Sequence, residues 1–151
     1  MYTRILVPVD GSPTSERGLR EAIGWAAQTK AELVLLHVVD DGTPSVELAP
    51  ARYADDVRKA HEHVAEALVA GYVHLAEEAG VRAWGVVRDG LGSRVSDIVL
   101  EEADTQRCDL IVMGTHGRRG FDRFALGSHA EVVARRATVP VLLVRHPQAR
   151  P

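Results

Sequence analysis

Short, solidly apolar runs alternate along this chain with longer segments whose apolar residues recur at helical spacing. Arg4 to Val9 reads as a strand that turns at Asp10-Gly11-Ser12-Pro13. Ser12 is expected to cap the next helix, with Pro13 at its first position. Leu19, Ala22, Ile23, Ala26 and Ala27 give that helix one buried stripe. Glu32 to Val39 reads as a second strand, and its run Leu33-Val34-Leu35-Leu36 suits a strand covered on both faces. Asp40 to Pro50 holds Gly42, Pro44 and Pro50 and reads as an irregular loop, a candidate flap. From Ala51 to Ala79 the positions Val57, His61, Val64, Leu68, Tyr72, Leu75 and Ala79 predict one long helix ended by Gly80. Val81 to Arg88 is expected as an edge strand interrupted by Gly85. After a turn at Asp89–Ser93, Val95, Ile98, Val99 and Ala103 mark a third helix. Leu110 to Met113 then forms a fourth strand, Ser128 to Ala137 a fourth helix and Val139 to Val144 a fifth strand. Residues 147–151 are expected as a loose tail.

Strict strand–helix alternation predicts a single α/β domain over residues 1–146: an open, parallel, five-stranded, doubly wound sheet of Rossmann-like form. The expected strand order is 3-2-1-4-5. With the first and fourth strands as neighbours, Asp10-Gly11-Ser12 and Met113-Gly114 would line one crevice at the carboxyl ends, where ligands of such sheets sit.

Composition narrows the classes. A chain of 151 residues with 46% apolar and 26% charged residues fits one globular domain. The net charge of −3 argues against general nucleic-acid binding. That charge is uneven, since the segment from Thr115 onward carries seven Arg against Asp122 and Glu131. Cys108 stands alone, which excludes an internal disulfide framework and fits a reducing compartment. No apolar run approaches membrane-spanning length, and the amino terminus becomes a strand too early for a signal peptide. The expected location is cytoplasmic.

The chemistry gathers between the fourth strand and the fourth helix. Gly114-Thr115-His116-Gly117-Arg118-Arg119-Gly120 begins a connection of about a dozen residues, where roughly 2–6 is usual. It ends at Gly127-Ser128, where Ser128 and Glu131 have the form of a capping box. Free amides and the positive end of a helix dipole suit an anion there, so the loop is expected to hold nucleotide phosphates. Competing expectations are a plain helix start at Gly127-Ser128, a solvated face for Arg118, Arg119 and Arg123, and a mere turn at Asp10. His116 is a further candidate for phosphate contact. Walker, dinucleotide-turn, nucleophile-elbow and zinc-ligand patterns are absent: neither Lys30 nor Lys59 follows a glycine, and His61-Glu62-His63 lacks i, i+4 spacing.

The spacing Gly114-x2-Gly117-x9-Gly127-Ser128 resembles the ATP-binding branch of the universal stress protein family. Four further stretches carry the resemblance: Ile5-Leu6-Val7-Pro8-Val9-Asp10-Gly11-Ser12, His37-Val38-Val39, Asp109 to Gly117, and Pro140 to Val144. The resemblance implies ATP binding, with Mg²⁺, by Pro8, Val9, Asp10, Val38, Met113, Gly114, Gly117, Gly127, Ser128 and His129. Asp10 would lie near the ribose or the metal, and the backbone around Val38 would recognise adenine. Gly114 and Gly117 would let the backbone approach ribose and phosphates, while Gly127 and Ser128 would meet the outer phosphates. His129 stands where many members carry an apolar residue or Asn. A homodimer through the Val139–Val144 strand is also implied, in a signalling protein whose long loop orders on the nucleotide and changes its association with a protein partner. The alternatives are a slow ATPase or self-phosphorylating enzyme, or a flavodoxin-like or receiver-like domain. For a receiver, Asp10 stands alone and no lysine follows the last strand.

Overall fold

The computed structural model describes residues 1–39, 51–116 and 126–145. The elements run β1 (Arg4–Pro8), α1 (Pro13–Thr29), β2 (Glu32–Val39), α2 (Ala51–Glu78), β3 (Ala83–Asp89), α3 (Val95–Thr105), β4 (Leu110–Gly114), α4 (Ser128–Arg136) and β5 (Val141–Val144). The sheet is parallel, as the alternation predicts, and has the expected order β3-β2-β1-β4-β5. The winding reverses between β1 and β4, which makes their carboxyl ends the switch point of the fold. The expected flap, Gly117, the three loop arginines and the tail lie outside the described residues.

Alternation along the central strands divides the interior into two layers. Ile5, Val7, Leu33, Leu35, Leu110 and Val112 face Leu19, Ala22 and Ala26 of α1 and Val69 and Ala76 of α2. Leu6, Val34, Leu36, Ile111 and Met113 face Ile98, Val99 and Ala103 of α3 and Ala130 and Val133 of α4. Both faces of the middle strands are therefore buried, which is why they read as unbroken apolar runs.

Two expectations about helix faces shift. Ala27 is exposed, so the stripe of α1 is narrower than its periodicity suggests. On α2, Val64 and Ala79 are exposed, and the buried line runs through Ala65, Val69 and Ala76. Small residues let this long helix sit close to the sheet edge. A Cβ on Gly85 of β3 would run into Val69 Cγ1, so the glycine that interrupts the strand pattern is the seat for Val69.

Candidate functional site at the carboxyl ends of the strands

The exit from β1 is shaped by local hydrogen bonds. Asp10 Oδ1 accepts the Ser12 N–H at 2.9 Å, an Asx turn that folds the chain back. Ser12 caps α1 as expected, accepting the Ser15 N–H at 3.2 Å, with Pro13 behind it. Ser15 Oγ accepts the Asp10 N–H and donates to the Ser12 carbonyl, so the turn and the first helical turn form one unit. Pro8 is the last residue of β1, paired with Leu36. Val9 is buried, and its N–H donates to the Leu36 carbonyl at 2.8 Å. Its carbonyl takes a 2.7 Å bond from Nδ1 of buried His37. A carbonyl only accepts, so Nδ1 carries the proton.

The end of β4 is held against this turn. A Cβ on Gly114 would lie 2.9 Å from the Thr14 carbonyl oxygen. The amino end of α1 packs on β4 through that missing atom, which accounts for Gly114 before any ligand is considered. Thr115 then acts as a backbone hub. Its N–H donates to the Val144 carbonyl of β5 at 3.0 Å, and its carbonyl accepts the Gly127 N–H at 2.8 Å. The latter bond joins the two ends of the long connection. Met113 is buried in the core, so only its backbone faces this end of the sheet.

The start of α4 differs from the expected capping box. Gly127 is the N-cap, with no side-chain capping bond, and Ser128 is the first helical residue. The Glu131 carboxylate pairs instead with Arg135 at 3.1 Å. The Gly127 carbonyl accepts the Glu131 N–H at 2.9 Å and opens the helical ladder. Preceding it, the N–H groups of Ser128, His129 and Ala130 have no helical carbonyl to receive them. Ser128 and His129 are exposed. A Cβ on Gly127 would lie 2.8 Å from the Thr115 carbonyl oxygen, so this glycine too answers first to its own backbone.

Beside β1, β2 runs on beyond the last paired residue, Leu36. The Gly90 N–H donates to the Val39 carbonyl at 2.9 Å, so Val39 turns its backbone groups toward β3. By strand alternation Val38 turns its N–H and C=O the other way, into the gap left where β1 ends. His116 adds one orphan: its Nδ1 lies 3.1 Å from Thr115 Oγ1, while its Nε2 is buried without a partner among the described residues. Buried polar atoms are nearly always bonded, so this one invites a ligand group.

The fold thus brings Asp10, Val38, Gly114, His116, Gly127, Ser128 and His129 to one end of the sheet. Its polar groups there comprise the backbone of Val38, a carboxylate at Asp10 and the α4 amides that have no helical acceptor. Such a set can read a flat heterocycle edge and bind an anion. Among the described residues there is no group of three His, Cys, Asp or Glu able to hold a metal alone.

The model of the Universal stress protein family matches residues 1–145. The chain belongs to this family. A Staphylococcus aureus protein named for the universal stress family is 36% identical over 145 residues, 95% of this chain and 84% of the relative. The solved structure of universal stress protein UspA from Lactobacillus plantarum superposes with a TM-score of 0.80 at 26% identity, covering 95% of this chain and 98% of the other. A universal stress protein solved in complex with cAMP superposes at a TM-score of 0.67 with 26% identity, covering 95% and 97%. Against this family background two features of the site had no periodic signature in the sequence: the His37 bond to Val9 and the Thr115 hub. Both depend on strand order, which a single sequence leaves open.

Proposed function

We propose that this universal stress protein binds an adenine nucleotide, ATP in the first instance, and acts as a nucleotide-dependent signalling homodimer. What carries the proposal is strand alternation, which turns the Val38 N–H and C=O toward the gap beyond Pro8, at the same end of the sheet as the amino end of α4. Adenine offers an N6 amino donor and an N1 acceptor in the order that a backbone C=O and N–H require. The cAMP complex of a structural neighbour at 26% identity supports this choice of base. The phosphates fit the amides of Ser128, His129 and Ala130, with the buried Nε2 of His116 as a further contact. Gly117 is included in the proposed site by its sequence spacing from Gly114 alone. Pro8, Val9 and Met113 serve as backbone and wall, with Gly114 and Gly127 holding the backbone that frames them.

Mg²⁺ fits the same site through Asp10 and the phosphates, since this ion is commonly held by one or two carboxylates and substrate oxygens. When bound, it neutralises phosphate charge. Asp10 meanwhile keeps the β1 turn closed through Ser12.

The dimer is assigned to β5, the sheet edge. The Pro140 and Val144 carbonyls face β4, accepting from Ile111 and Thr115. Val141 and Leu143 therefore turn N–H and C=O groups outward, and Leu142 is partly exposed beside them. Thr115 joins the two sites, being bonded both to Val144 and to Gly127.

Calorimetric titration with ATP and GTP tests the base assignment. Guanine reverses the donor–acceptor order at the edge facing Val38, so GTP is expected to bind at least about tenfold more weakly. Equal affinities overturn the adenine assignment, and no binding of either overturns the site. Sedimentation of the protein and of Leu142→Lys, with and without ATP, tests the β5 dimer; a variant that dimerises like the parent contradicts it.

A further inference from the structure

At the opposite end of the sheet lies a concavity of about 480 Å³ lined by Thr3, Arg4, Lys30, Glu32, Arg82 and Arg107, four cations around one carboxylate. That carboxylate is neutralised from both sides: Glu32 Oε2 meets Arg4 at 2.9 Å and Oε1 meets Arg82 at 2.7 Å. The neighbouring acid, Asp109, is occupied by the N–H groups of Thr3 and Arg4 and by the Thr3 hydroxyl. Arg4 is locked in place. It donates to the Gln106 carbonyl at 2.8 Å, and its guanidinium lies 5.1 Å from the centroid of the Trp84 ring. Lys30 and Arg107, by contrast, make no ion pair or side-chain hydrogen bond among the described residues.

Those two free cations occupy unusual backbone positions. Three helices end at this pole in a left-handed residue. For α2 it is Gly80 with φ 74°, the ordinary solution. For α1 and α3 it is Lys30 with φ 60° and Arg107 with φ 55°, the two non-glycine residues of positive φ among those described. A cation near a helix carboxyl end offsets the dipole, which explains each of the two singly. Glu32 likewise accounts for Arg4 and Arg82, but it leaves Lys30 and Arg107 without a counter-charge in the same hollow.

We propose that this concavity binds a small polyanion carrying two or more phosphate or carboxylate groups. Lys30 and Arg107 are its direct contacts and carry the uncompensated charge, while the Arg4–Glu32–Arg82 ion pairs hold the floor of the hollow in place. The site is separate from the proposed nucleotide crevice and does not depend on it.

The test is an amide-shift titration of the whole chain with inorganic pyrophosphate and, separately, with citrate at matched ionic strength. Saturable shifts at Thr3, Lys30, Arg82 and Arg107 are expected. A stronger response to pyrophosphate identifies a phosphate ligand, and a stronger response to citrate a carboxylate one. Lys30→Gly and Arg107→Gly suit the left-handed backbone, so the fold is kept while each lowers affinity about tenfold. The proposal is overturned if neither probe saturates these amides, or if the doubly substituted protein binds as the parent does. Shifts confined to Ser128–Ala130 overturn it as well, and leave the nucleotide site untouched.

Discussion

Replacing Gly127 with Ala perturbs the hinge on which the candidate site turns. Its backbone, φ −58° and ψ 144°, is open to any residue, so the penalty is purely one of space. The new Cβ would lie 2.8 Å from the Thr115 carbonyl oxygen, the same atom that accepts the Gly127 N–H at 2.8 Å. Backbone meets backbone there, so the start of α4 or the end of β4 must move. Weakening that hydrogen bond costs about 0.5–1.5 kcal/mol. Crowding in a packed region costs about 1–3 kcal/mol more. Urea unfolding should therefore show a loss of about 1.5–4.5 kcal/mol. Calorimetry should show ATP affinity lowered at least about tenfold, because the amides of Ser128 to Ala130 move with the helix end. Ser128→Ala is the control. Ser128 is not the N-cap, so its loss should change stability by less than about 0.5 kcal/mol, where a capping serine would cost about 0.5–2 kcal/mol. The reasoning fails if Gly127→Ala matches the parent in both measurements, or if Ser128→Ala destabilises like a lost cap.

Gly85→Ala should lose about 1–3 kcal/mol by collision with Val69 Cγ1, and Val69→Ala in the same chain should recover part of it in urea unfolding; strictly additive losses would contradict the contact. For Asp109, burial pushes the carboxyl pKa up, but hydrogen bonds from Thr3 and Arg4 outweigh it and hold the group below its ordinary value. A depressed folded-state pKa contributes stability above the unfolded pKa that is lost as pH falls through the folded one. Asp109→Asn should therefore be most destabilising at neutral pH, and its deficit in urea midpoint should shrink toward pH ~3; a deficit independent of pH refutes this. Burial pushes the Cys108 thiol up to about 12. Iodoacetamide should leave it unlabelled in the native protein at neutral pH and label it in denaturant; labelling at the rate of a free thiol would contradict the buried position.

The sheet was legible because its central strands are buried on both faces: Leu33 to Leu36 and Leu110 to Met113 are unbroken apolar runs too short for a helix. The cap at Ser12 was legible because its side chain and Pro13 act within four residues. The face of α2 was not. Ala65 and Ala76 carry too little hydrophobic signal to outweigh Val64, and the seat for Val69 is created by an absent atom on a strand distant in sequence. The start of α4 misled for a related reason. Ser128 and Glu131 satisfy a local rule, but the Thr115 carbonyl claims the Gly127 N–H and fixes the cap one residue earlier. The candidate glycines stand out by spacing, whereas the close neighbour of Gly114, Thr14, depends on β1 and β4 lying side by side, and that of Gly127, Thr115, on the end of β4 meeting the start of α4.

The central claim is that one crevice unites the Val38 backbone pair, Asp10 and the amino end of α4 around an adenine nucleotide. An amide-shift map of the labelled chain on addition of ATP tests it most directly. The account predicts saturable shifts at Val38, Asp10, Ser128, His129 and Ala130 together, at a common affinity. Saturable shifts that spare Val38 and the start of α4, or no saturation at all, would contradict it.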